Sequence, residues 1–190
     1  IQSLNLRKVS TLSSAVYKGV LALLALKGSR DLQTGEMVNN RNDYHKDHVF
    51  PKSKADNYVS TKKDIDSILN MVWLTKSTNQ NKGAKDPKKY FGEFESKYNG
   101  NRGVYIDVLQ THYINKIAYD AISENDFDGF INERENLIST EIKEKIGWTE
   151  NDKDDDTQDE DIDQLIQSFE GERLEFKSTF KKNLETQKSD

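Results

Sequence analysis

The sequence predicts an α+β fold that is mainly α: a helical domain with one small strand-strand-helix unit set into it. Two observations predict this. Apolar residues recur at spacings of three and four through residues 12–28, 87–98, 104–122 and 126–146, the pattern of helices with one buried face. Only two short runs read as strands, 47–50 and 71–74, and polar, turn-rich sequence separates them.

Composition bounds the rest. The chain has 190 residues, enough for one domain of ordinary size with appendages. It has no cysteine, which excludes disulfides and thiolate zinc sites. The longest apolar run, 20–26, falls well short of the ~18 residues of a membrane span. These features predict a soluble protein of a reducing compartment, the cytoplasm, with no membrane partner. The first residue is Ile1, so the sequence reads as a piece of a longer protein.

The net charge of −5 is unevenly spread. Residues 150–163 hold nine acidic side chains and one lysine, and residues 164–190 are balanced, so residues 1–149 carry a net +3. Residues 76–89 hold five lysines against one aspartate, a local basic character that suits a polyanion.

In chain order, Thr11 or Ser13 and Ser14 can cap a helix rich in Ala and Leu that Gly28 stops, and its second half is apolar nearly all round, which predicts burial. Residues 39–43, Asn-Asn-Arg-Asn-Asp, form a turn-rich cluster. The run 47–50 reads as the end of a hairpin strand that Pro51 stops. Residues 54–63 read as a loop, 64–69 as the opening of a short helix, and 71–74 as a second strand or the turn before a helix that reaches Asn79. Pro87 starts a helix that Asn99-Gly100 ends, with Tyr90, Phe91, Phe94 and Tyr98 on one core face. Residues 104–122 suggest further helical packing, with His112 as a structural or surface histidine. Residues 126–146 form a long helix or helix pair that Gly147 stops.

The chemistry lies around Tyr-His-Lys-Asp-His-Val-Phe-Pro-Lys-Ser at 44–53 and Asn-Met-Val-Trp-Leu-Thr-Lys-Ser-Thr-Asn at 70–79. A carboxylate sits beside an imidazole at a strand end, and two amides follow, nine residues apart. A hard cation takes oxygen ligands and a neutral imidazole takes a proton from water, so these groups suit metal-assisted hydrolysis of a phosphodiester. Neighbouring strand residues point to opposite faces, so Asp47 and His48 can serve one centre only if the strand end is irregular.

Asp47-His48-Val49-Phe50-Pro51-Lys52-Ser53, then Asn70, then Asn79 with Lys82 and Pro87, resembles the HNH, or ββα-metal (His-Me finger), nuclease motif. The version it resembles most occurs in the C-terminal part of bacterial ParB-like-plus-HNH restriction proteins, relatives of enzymes that cleave modified phage DNA. The same order of Asp-His, Asn and Asn occurs in the HNH domains of RNA-guided CRISPR nucleases. The resemblance runs from about Leu12 to Trp148 and includes residues 130–137 as a closing helix.

The resemblance implies a DNA endonuclease of a phage-defence system. In it His48 is the general base, Asp47 and Asn79 bind one Mg²⁺ or Mn²⁺, and Asn70 holds the loop that carries His48. Asn79 is preferred to Asn81 because its spacings to Asn70 and Pro87 both agree with the motif. Lys52, Lys76, Lys82 and Lys85 are candidate phosphate contacts. His45 is a second ligand, a substrate contact or a surface histidine. A non-cleaving DNA- or partner-binding module on the same fold is the alternative. The resemblance also implies an N-terminal nucleotide-hydrolysing domain elsewhere in the parent protein.

The expected organisation is a nuclease domain at 1–148, an acidic linker at 149–165 and, at 166–190, the opening of a Schlafen/AlbA-type DNA-binding domain. That last likeness rests on Phe169 to Phe180, which reads Phe-Glu-Gly-Glu-Arg-Leu-Glu-Phe-Lys-Ser-Thr-Phe.

Overall fold

Tyr17, Val20, Leu23 and Leu24, spaced along one stripe, bury the first helix, α1 (Ala15–Leu26), against the rest of the chain. The computed structural model describes residues 5–37, 44–59 and 64–147. The cluster at 39–43, the linker at 149–165 and the segment at 166–190 lie outside the described residues. Leu26 is 62% exposed, which corrects the expectation that α1 is buried all round: its apolar content exceeds the face that packs. Lys27 closes the helix and Gly28 leaves it at φ 72°, a conformation glycine adopts without strain.

Strand β1 (Tyr44–His48) pairs antiparallel with β2 (Met71–Thr75), with Asp47 opposite Val72 and His48 opposite Met71. β1 therefore starts earlier than the run 47–50 suggests and ends at His48, where Val49 and Phe50 turn into the core. The stretch between the strands forms short 3-10 turns at Lys52–Asn57, Asp64–Asp66 and Ile68–Asn70. Helix α2 (Lys76–Lys82) leaves β2 without a linker, because Thr75 is both the last strand residue and the cap, its Oγ1 accepting from the Thr78 N–H at 3.1 Å. α2 packs on both strands.

Four helices complete the frame: α3 (Pro87–Glu95), α4 (Arg102–Gln110), α5 (Lys116–Glu124) and α6 (Phe127–Lys145). Asn101, Asn115 and Asp126 cap the last three, each side chain accepting from the N–H three residues on. α5 packs on both α3 and α6. The segment 104–122 thus divides between α4 and α5. Tyr113, at φ 56°, turns the chain between them, and Val104 and Ile117 are exposed.

The core meets the strand end at Phe50, whose ring packs edge-on against Tyr58 at 5.0 Å and Phe127 at 5.3 Å and lies 5.5 Å from Phe130. Tyr90 on α3 donates its hydroxyl to the Val49 carbonyl at 2.9 Å. The helical frame therefore grips the residues immediately after His48. No helix among the described residues is long and apolar enough to cross a membrane.

His112 is structural: it is fully buried in the α4–α5 turn, and its Nε2 donates to the Arg30 carbonyl at 2.7 Å. Burial draws its pKa down to about 4. The unfolded chain takes up this proton near the ordinary histidine value, so between pH 6.5 and about 4 the unfolded state binds more protons and stability falls with falling pH. His112→Gln is expected to flatten that decline by up to about 3 kcal/mol, read from urea midpoints across this range.

Candidate functional site

Asn70 is completely buried at the end of the turn that leads into β2. Its Oδ1 accepts from the Phe50 N–H at 2.9 Å, and its Nδ2 donates to the carbonyls of Phe50 at 3.0 Å and Ile65 at 2.9 Å. Its own carbonyl accepts from the Val49 N–H at 2.8 Å. One residue thus fixes the chain directly after His48 through backbone bonds.

Asp47 and His48 turn toward each other at the strand end, with His48 Nδ1 3.8 Å from Asp47 Oδ1. The other Asp47 oxygen, Oδ2, accepts from the Lys82 ammonium on α2. Burial alone would raise the Asp47 pKa, but the neighbouring His48, the hydrogen bond from Lys82 and the Lys82 charge outweigh it and hold it down to about 2. Asp47 is therefore a fixed negative charge at neutral pH. His48 Nε2 lies 3.0 Å from Asp66 Oδ1, and the second Asp66 oxygen accepts from Lys52 at 2.6 Å.

Asn79 stands one turn before Lys82 on α2 and is half-buried, whereas Asn81 is exposed and donates to Gln33 at 2.9 Å. Residues three apart share a helix face, so Asn79 stands on the face of Lys82, the α2 residue that reaches Asp47. Among the described residues no three His, Asp or Glu side chains gather as a metal-binding group. A cation here would take one carboxylate and one amide, with water and phosphate completing its shell. That oxygen set suits Mg²⁺ or Mn²⁺.

The lysines separate. Lys76 is exposed on the first turn of α2. Lys52 is exposed but paired with Asp66, and Lys85 is paired with Glu93 at 2.6 Å. Lys82 is placed otherwise than a surface phosphate contact requires: its side chain is 2% exposed and its ammonium lies on Asp47, 5.6 Å from the Tyr90 ring centre. Its charge belongs to the interior of the site. His45 is exposed on β1.

Sequence reasoning missed Asp31 and Asp66. Asp31 is fully buried and accepts from the N–H groups of Gln33 and Thr34 at 3.0 Å and Thr75 at 2.9 Å and from the Thr78 hydroxyl at 2.7 Å. Burial raises its pKa, and these hydrogen bonds more than reverse the effect. It sets the start of α2 and hence the direction of the Asn79–Lys82 face. The Asp-Leu-Gln-Thr-Gly turn at 31–35 is a local signal for such a carboxylate. Asp66 sits in a polar loop, and nothing in its spacing links it to His48.

No family model matches the chain, and no solved structure matches it. The chain is similar to an uncharacterized protein of Methanocaldococcus jannaschii, 30% identical over 165 residues, a match that covers 75% of this chain and 27% of that protein. The chain therefore spans about a quarter of that relative's length.

Asn70→Asp keeps the acceptor for the Phe50 N–H but removes both donors and buries a carboxylate against two carbonyls. It is expected to cost about 3 kcal/mol or more in urea unfolding at pH 7. The deficit relative to wild type should narrow at pH 5, because protonation restores a donor and removes the buried charge.

Proposed function

We propose that this chain is the nuclease part of a DNA endonuclease of the HNH type, hydrolysing phosphodiester bonds with the help of Mg²⁺ or Mn²⁺. The observation that carries this reading is the convergence at the end of β1. Asp47 and His48, neighbours in a strand, turn to one side, and α2 brings Lys82 onto Asp47 with Asn79 on the same helix face. The order and spacing of Asp47-His48, Asn70 and Asn79 add to it.

His48 acts as the general base, taking a proton from the attacking water. Asp47 and Asn79 hold the cation, which, when bound, stabilises the negative charge that develops on the phosphate in the transition state. Asn70 keeps the peptide after His48 in place, so the imidazole reaches substrate without a reorganisation cost. Lys82 places a positive charge beside Asp47 that competes with a cation for the carboxylate, and an incoming phosphate offsets that excess. Lys76 and the basic stretch 76–89 draw in the polyanion. Cytoplasmic phage restriction, controlled by a nucleotide-hydrolysing domain elsewhere in the parent protein, is the setting that this reading implies.

One observation favours a second reading. The buried Lys82 ammonium already neutralises Asp47, as it would in a non-cleaving DNA-binding module. Plasmid nicking with Mg²⁺ or Mn²⁺ separates the two. The wild type is expected to cleave only with metal, and His48→Ala to lose at least about 100-fold in rate. Retention of DNA without cleavage by either protein supports the binding module, and equal cleavage by both rules out His48 as the base.

A further inference from the structure

Which ring nitrogen of His48 faces the reaction is decided by what holds the other. Nε2 lies 3.0 Å from Asp66 Oδ1, whereas Nδ1 faces Asp47 Oδ1 at 3.8 Å, beyond hydrogen-bond length. An ionised carboxylate can only accept, so the hydrogen of the His48–Asp66 bond sits on Nε2. In the neutral ring Nδ1 then carries the lone pair, and it points to the side of Asp47.

Asp66 is itself anchored. Its Oδ2 accepts from Lys52 at 2.6 Å. Its neighbour Ile65 gives its carbonyl to the Asn70 amide, the same amide that holds both backbone groups of Phe50. His48 lies two residues before Phe50 and Asp66 one after Ile65, so one buried side chain sets the distance between imidazole and carboxylate. Hydrogen bonds from Lys52 and His48 hold the Asp66 carboxyl below the usual range against the opposing effect of burial, which keeps it ionised at neutral pH.

We propose that Asp66 is a positioning residue that fixes His48 as the Nε2–H tautomer and directs Nδ1 toward the Asp47 side as the proton acceptor. This rests on the nuclease reading for its catalytic meaning, but the tautomer and the bond exist whether or not the chain cleaves DNA. A carboxylate behind an imidazole orients the ring and strengthens its basicity.

The test is proton NMR of the full chain with ¹⁵N-labelled histidine, following the ring N–H resonances at neutral pH and low temperature. An imidazole N–H held by an acceptor exchanges slowly enough to be seen, while an unbonded one near solvent is lost to exchange. Two Nε2–H signals are expected in the wild type. One belongs to His112, bonded to the Arg30 carbonyl, and serves as an internal control of folding. The other belongs to His48 and is assigned by its absence in His48→Ala. Asp66→Ala should erase the His48 signal and leave that of His112. Asp66→Asn, which restores an oxygen acceptor, should bring it back, and Lys52→Ala should retain it.

In plasmid cleavage Asp66→Ala should lower kcat roughly 10- to 100-fold with KM for DNA unchanged, and Asp66→Asn should recover most of the loss. A His48 signal that persists in Asp66→Ala, or one that reports an Nδ1–H ring in the wild type, overturns the proposal. A wild type that shows the expected signals but no metal-dependent cleavage overturns the nuclease reading and leaves the assignment of the Asp66 bond standing.

Discussion

The side-chain amide of Asn70 accepts from one backbone N–H and donates to two carbonyls, and the geometry at the end of β1 depends on those three bonds. Only an amide has both an acceptor and two donors on so short a stem. An aspartate would lack the donors, and a glutamine would reach past them. The amide joins two pieces of chain that carry chemistry, the turn after His48 and the turn before Asp66. Phe50 then locks one of those pieces into the aromatic core, so the burial of apolar surface holds the site in shape.

Two buried cations flank this centre and are accommodated differently. Lys82 finds a carboxylate, Asp47. Arg134 on α6 is fully buried and, among the described residues, its hydrogen bonds go to carbonyls, from Nη1 to Leu69 at 2.5 Å and from Nε to His112 at 3.0 Å. Burial draws its pKa down to about 9, which still leaves it charged at neutral pH. The Leu69 carbonyl immediately precedes Asn70, so the last described helix braces the same turn as the amide. A charge buried without a counter-ion is costly, and carbonyl dipoles offset only part of the cost. The expense falls where α6, the α4–α5 turn and the approach to β2 meet.

Much of this was legible because it was local. Pro87 and the aromatic spacing after it marked α3, Asn99 and Gly147 marked helix ends, and Asp47-His48, Asn70 and Asn79 were singled out by kind and order. Spacing favours Asn79 over Asn81, and Asn79 shares its helix face with Lys82. What escaped was long-range. Asp31 contacts Thr75 and Thr78 across more than forty residues, and Asp66 contacts His48 across eighteen. The burial of Lys82 also escaped, because a lysine in a basic stretch reads as solvated until its helix face is known. Residues 104–122 read only as helical packing, and the turn at Tyr113 was not foreseen because a left-handed residue leaves no periodic trace.

The central claim is that Asp47 and Asn79 form a cation site at the end of β1, and Mn²⁺ titration of the ¹⁵N-labelled chain addresses it most directly. Paramagnetic broadening should strike the amides of Asp47, His48, Val49 and Asn79 at the lowest metal concentrations, and Asp47→Asn should remove it there. The acidic residues 150–163 supply an internal competitor for any divalent cation. Broadening confined to that run, with the end of β1 unaffected in the presence of a DNA oligonucleotide as well as in its absence, would contradict the claim.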